Sequence, residues 1–356
     1  MKKSNYFFPV MACLFFAITI NGQPSKTMVF KKVQEPREKA FSLLLPNNWV
    51  IEGGIFRIDP TAGGGSGNAI DAKLDIQFKK DQNGTVMMRW FPDMNYFDMS
   101  NSPAGQMGMF PTGSNYNGMT VIPKMDALSF IQYVVIPYAH PGLMNFEVVD
   151  NKSSPEIVEG IKKADAFIGI PFVYTAGIAT ISYTENGIKY KERIIAATQD
   201  FGELGAGLWK NRFTLCARAP YDQFESWEPV FIEMIRSVQI NMQWLIGEIR
   251  GQVERGAINA DVLRRLQEMD KEIQEGHSKT YAEINNDMFL TLTEQEEYVN
   301  PYSNEVEVGS NQWKNRWVNE SGEVVYSDSD DYNPNLDQIL NRSDFKKTPI
   351  RKRYGD

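Results

Sequence analysis

The chain has few of the residues from which most active sites are built. Its only cysteines are Cys13 and Cys216, and its only histidines are His140 and His277. Neither histidine has a second His or Cys at ligand spacing, so a zinc site is not expected. A Ser-His-Asp site would need one of these two as its base, and no Gly-x-Ser-x-Gly elbow occurs. An excess of basic charge is also missing. The formal net charge is −8, which argues against nucleic acid as a partner, because phosphate contacts need clustered Lys and Arg. Beyond residue 20 there is no apolar run long enough to span a bilayer.

What is present begins with a leader. Lys2 and Lys3 precede a nearly continuous apolar stretch from Tyr6 to Ile20, and Asn21-Gly22-Gln23 follows. This order is that of a secretory signal peptide, residues 1–22, with cleavage expected after Gly22. The apolar run continues past Cys13 from Leu14 to Ile20, which argues against a lipoprotein anchor at that cysteine. The mature protein is expected in the periplasm or outside the cell. It keeps Cys216 alone, so no internal disulfide is expected, and an isolated cysteine among apolar residues reads as a small buried hydrophobe.

Strand signals dominate residues 36–240. Ala72, Leu74, Ile76 and Phe78 alternate with polar residues, and Val86, Met88 and Trp90 alternate again beyond Asn83-Gly84. Asn-Gly between two alternating runs is a hairpin signal, because both residues tolerate positive φ. Asn186-Gly187 repeats the device between strands expected at 177–184 and 188–197. A further strand at 208–217 is expected to show Trp209, Phe213 and Leu215 on one face and Thr214 and Cys216 on the other. Three segments have helical spacing: 125–135, 153–164 with Ser153 as cap, and 222–238 with Asp222 and Glu225 as a capping box.

The stretch FSLLLPNNWV (Phe41 to Val50) resembles the opening strand and Pro-x-x-Trp turn of PsbP-like domains. ARAPYDQFESWEPVFIEMIRSVQI resembles their closing strand and C-terminal helix. The resemblance covers about residues 36–240. It implies an α+β fold with an antiparallel sheet flanked by helices, and a binding or scaffolding role without catalytic residues. After that domain the pattern predicts a helical connector (241–290), a small aromatic β-hairpin module (291–345) and a basic tail (346–356). The C-terminal block resembles a tail of exported bacterial proteins with no assigned activity.

Three stretches carry the functional expectations. TAGGGSGNAID lacks the Gly-Lys-Ser/Thr of a phosphate loop and leads into a strand, so it reads as a flexible turn. The segment 92–124 is rich in methionine, and Met94, Met99, Met107, Met109, Phe110 and Met119 are candidates for an adaptable apolar surface that meets an envelope protein partner. The competing reading packs them onto the sheet, while irregular spacing without an adjoining His or Cys argues against copper. No cofactor, metal or catalytic residue is expected. In QWKNRWVNESGEVVYSDSDDYNPN, Trp313 and Trp317 share strand parity across the Gly322 turn from Tyr326. With Tyr302 they form either the small core of a hairpin or a platform that stacks on a glycan, with carboxylates nearby for binding or cleavage. An EF-hand frame on Asp328 and Asp330 fails, because Tyr332 and Asn333 fall where an oxygen ligand and Gly are required.

Overall fold

The computed structural model describes residues 28–165, 172–254 and 295–351. The leader with Cys13, the connector beyond Glu254, His277 and the end of the basic tail lie outside these residues.

The strands, in chain order, are β1 (Met28–Gln34), β2 (Phe41–Pro46), β3 (Val50–Phe56), β4 (Lys73–Lys79), β5 (Met87–Trp90), β6 (Asn95–Phe97), β7 (Asn115–Tyr116), β8 (Met119–Val121) and β9 (Glu147–Ser153). Then come β10 (Val173–Glu185), β11 (Ile188–Asp200), β12 (Leu208–Pro220), β13 (Gln239–Ile240), β14 (Gln295–Val299), β15 (Val306–Ser310), β16 (Asn315–Val318), β17 (Val324–Ser327) and β18 (Lys346–Lys347). The helices are α1 (Pro103–Gln106), α2 (Ala127–Phe130), α3 (Ile136–Ala139), α4 (Pro155–Asp165), α5 (Phe224–Arg236) and α6 (Met242–Glu254).

The expected antiparallel sheet flanked by helices is not what forms. The protein is mostly sheet, 39% strand and 21% helix over the described residues, in two curled sheets with few short helices. A ten-stranded sheet runs β3-β4-β5-β12-β11-β10-β9, with β6, β7 and β8 attached beside β12. A six-stranded sheet runs β13-β2-β1-β17-β16-β18. The reason is long-range pairing. β1 pairs with β17, Phe30 opposite Val324, so the two ends of the described chain share a sheet. The Trp313–Tyr326 hairpin therefore does not build a core of its own. Val318, Val324 and Tyr326 share a buried cluster with Phe30, Leu43, Leu45, Phe78, Leu215 and Phe231.

Local signals hold where the chemistry is local. Asn186 and Gly187 take φ of 52° and 79° and join β10 to β11 in continuous register, the geometry that Asn-Gly favours. Asp126 caps α2 by accepting from Leu128 N–H at 2.9 Å and Ser129 N–H at 3.0 Å. The helix then passes through a π-turn (Ile131–Val135) into α3. The expected box on Asp222 and Glu225 does not form. Gln223 takes the cap position of α5 without a side-chain bond, and Glu225 pairs with Lys191 instead.

The face assignment in β12 is overturned by one residue. Phe213 has φ of 52°, and the pairing with β11 slips between Ile195 and Ala197. An extra residue in one strand reverses side-chain parity beyond it. Trp209 and Cys216 therefore share a cluster beneath α2 and α3, while Leu215 and Ala217 face the other core. The bulge is held by Asp93, whose Oδ1 accepts from Phe213 N–H at 3.1 Å.

The glycine-rich stretch is not a flexible turn either. It is docked against the turn between β7 and β8. A Cβ on Gly65 would lie 2.3 Å from the carbonyl carbon of Asn117, and one on Gly118 would lie 2.4 Å from the Gly65 oxygen. These glycines let two backbones touch.

Candidate functional site

The methionine-rich segment is a stapled loop. Asn211 accepts from Met94 N–H at 2.8 Å and donates to Pro92 O at 3.1 Å. Asn68 accepts from Asn95 N–H at 2.7 Å and donates to Asn95 O and Gly118 O, both at 3.0 Å. Tyr96 stacks on Trp209 with ring centres 4.7 Å apart, and Trp209 Nε1–H donates to Ile122 O at 2.9 Å. Lys124 closes the segment through an ion pair with Asp200 at 2.8 Å.

The structure divides the expected surface. Met99 and Met119 are buried, and Met94 is half-buried against the cluster beneath α2 and α3. Phe110 is half-buried with its ring edge-on to Tyr116 at 5.3 Å. Only Met107 and Met109, 71% and 62% exposed, project into solvent. They flank Gly108 at the end of α1, whose start is capped by Ser102 Oγ on Gly105 N–H at 2.9 Å. The tip is closed by main-chain bonds from Gly108 to Gly105 and from Met109 to Ala104. It is thus a fixed projection. Beyond the tip, Gly113, Ile122, Met125, Tyr133 and Val134 line an open groove of about 510 Å³ with Lys124 at its wall. Tyr133 is itself 66% exposed.

The C-terminal aromatics are placed differently from a stacking platform. Tyr326 is fully buried, donates from its hydroxyl to Glu233 Oε1 at 3.0 Å, and carries the Trp313 ring at 5.1 Å. Burial beside Glu233 pushes the Tyr326 hydroxyl well above its ordinary range. Tyr326 is therefore closed to a glycan. Trp313 precedes β16 and is half-buried, while Trp317 pairs across to Val325 and Lys347 and is also half-buried. Tyr302 donates to Asp344 O and has the Lys346 ammonium 4.1 Å above its ring. The acidic turn is tied down as well. Asp330 accepts from Lys314 Nζ and from Asn315 Nδ2, each at 3.4 Å. Among the described residues no group of three or more His, Cys, Asp or Glu side chains is arranged to hold a metal ion.

A second polar centre forms around one of the two histidines. His140, at the end of α3, meets Glu192 of β11 at 2.7 Å between Nε2 and Oε2. Tyr183 donates to the same oxygen at 2.7 Å, and Arg218 Nη1 donates to the Tyr183 hydroxyl at 3.2 Å and to Glu185 at 2.9 Å. Arg218 Nε also holds the Gly84 carbonyl at 2.9 Å, which ties the first hairpin turn to the cluster. Burial raises the Glu192 carboxyl, but the bond and charge of His140, with bonds from Cys216 and Tyr183, outweigh it and hold the group at about 2. Burial and the Glu192 charge push the Cys216 thiol well up. A nucleophilic cysteine needs the reverse. The centre is an anchor for α2 and α3 on the sheet. The cue for it was a lone histidine, and its partner lies far along the chain.

No protein-family model matches the chain, and no curated protein matches it. Among the described residues no helix is long and apolar enough to cross a membrane.

Proposed function

We propose that this is a non-enzymatic binding or scaffold protein of the bacterial cell envelope that captures a partner protein through the Met107–Met109 tip and the groove beside it. The observation that carries this reading is the contrast within one loop. Its other methionines are packed or half-packed, yet two thioethers stand 71% and 62% exposed. The flexible, polarisable methionine chain adapts to an apolar partner surface. The groove offers apolar walls for a segment of that partner. The envelope location follows from the leader expected at residues 1–22.

The experiment is site-specific photocrosslinking in envelope-containing cells, with the reactive residue at position 109 and a control at Asn101. A discrete adduct at 109 and none at 101 is the expected result. Met107→Asp with Met109→Asp should weaken capture by the wild-type partner at least about tenfold, or ~1.4 kcal/mol, with the melting temperature unchanged. Equal capture by the variant would overturn the reading.

A further inference from the structure

The main run of the ten-stranded sheet, β3 to β9, has an edge at each end, and the protein treats the two differently. At the β3 edge Ile55 N–H donates to Glu35 Oε1 at 2.8 Å, and Ile55 O accepts from Arg37 Nη1 at 3.2 Å. A carboxylate and a guanidinium stand where the next strand would. Glu35 is itself buried and accepts from Arg37 N–H and Glu38 N–H. That edge is plugged.

The β9 edge has no such plug. Six of its seven residues are exposed, including Val148 at 50% and Val149 at 42%. Among the described residues no strand and no side chain pairs with its outer side. A free edge is a template for another strand. Its last four residues are regular, with Asp150, Asn151, Lys152 and Ser153 opposite Thr180, Ala179, Ile178 and Gly177. The register irregularity falls just before them.

We propose that β9 pairs antiparallel with β9 of a second copy of this chain, about a two-fold axis through Asn151. The register follows from charge. In an antiparallel pair related by a two-fold, a residue whose main-chain groups point outward must face another of the same kind, so the axis passes through a residue. Centring on Asn151 sets Asp150 opposite the partner's Lys152, and it does so twice. Centring on Asp150 or on Lys152 would set like charges face to face on the axis, which destabilises. Centring on Val149 opposes Asp150 to Val148 and pairs no charges. The strand is thus complementary to itself in one register, and pairing joins the two sheets across the interface.

The test is sedimentation velocity of the mature chain over a concentration series. The wild type should associate to a dimer. Lys152→Asp brings four acidic groups together and should weaken association at least tenfold. Adding Asp150→Lys to that variant restores opposite charges and should restore the dimer. Both positions lie on the outer strand, so a matching thermal melt for all forms confirms that the fold is kept. Met107→Asp with Met109→Asp should leave association unchanged. A monomer at every concentration overturns the proposal, as does a dimer indifferent to Lys152→Asp or not rescued by the charge swap.

Discussion

Glu192 and Glu233 are both fully buried, and their environments drive them in opposite directions. Glu192 sits in the cluster beneath α2 and α3, touched by His140, Tyr183 and Cys216, and its carboxyl is held at about 2 against the cost of burial. Glu233 sits on α5 where that helix meets the C-terminal strands. Burial raises it, and bonds from Tyr326 and Ser310, with the charges of Arg316 and Arg236, do not bring it back to its ordinary value. Depth alone therefore does not set ionisation. A carboxylate with an imidazole at hydrogen-bond distance stays charged, whereas one met by a phenol and an amide is pushed toward its neutral acid. The first region uses a fixed charge to hold helix to sheet. The second holds helix to hairpin through a carboxyl that burial pushes upward.

The largest effect is expected where the charge would be left alone. His140→Ala removes the hydrogen-bond partner of the buried Glu192 carboxylate, and should lower unfolding free energy by about 3–5 kcal/mol in urea titration. Adding Glu192→Gln should recover part of that loss, because the orphaned charge is gone. A cost for His140→Ala below ~1 kcal/mol would mean that the imidazole does not carry the ionisation of Glu192. Glu233→Gln is the matching change in the other region. It keeps an acceptor for the Tyr326 hydroxyl, so it should cost only about 1 kcal/mol. Equal losses at the two sites would erase the distinction between them.

The same division separates what the sequence disclosed from what it hid. The Asn83-Gly84 and Asn186-Gly187 hairpins were legible because the residues that cause them are adjacent. Met107 and Met109 were legible as candidates by composition, but the staples that bury Met99 and Met119 come from Asn68, Trp209 and Asn211, which share no period with the loop. The Phe213 bulge broke a face assignment that simple alternation supported, since one inserted residue reverses parity without changing composition. The sheet shared by β1 and β17 was hidden for a related reason. Phe30 and Val324 lie at opposite ends of the described chain, and nothing local says that they face each other. Reading Trp313, Trp317 and Tyr326 as a separate module followed from that gap.

The smallest expected effect is a pair of opposed pH dependences, and it tests the comparison without leaving any group unpartnered. The Glu192 carboxyl is depressed from an ordinary 4.5 to about 2 on folding. Its ionisation stabilises the folded state above 4.5, and that contribution is lost as pH falls from 4.5 toward 2. The Glu233 carboxyl is raised above 4.5 on folding. Its protonated form is the one that the fold favours, so the contribution is complete below 4.5 and declines as pH rises through the folded value. Urea midpoints of the wild type and Glu233→Gln, followed upward from pH 4.5, should therefore converge or cross, as the wild type loses stability relative to the variant. The His140→Ala and Glu192→Gln double variant should instead lack the wild type's decline between 4.5 and 2. A parallel offset between wild type and Glu233→Gln at every pH would show that Glu233 ionises in the folded protein as it does in the unfolded chain, and that the two buried glutamates differ in partners but not in charge.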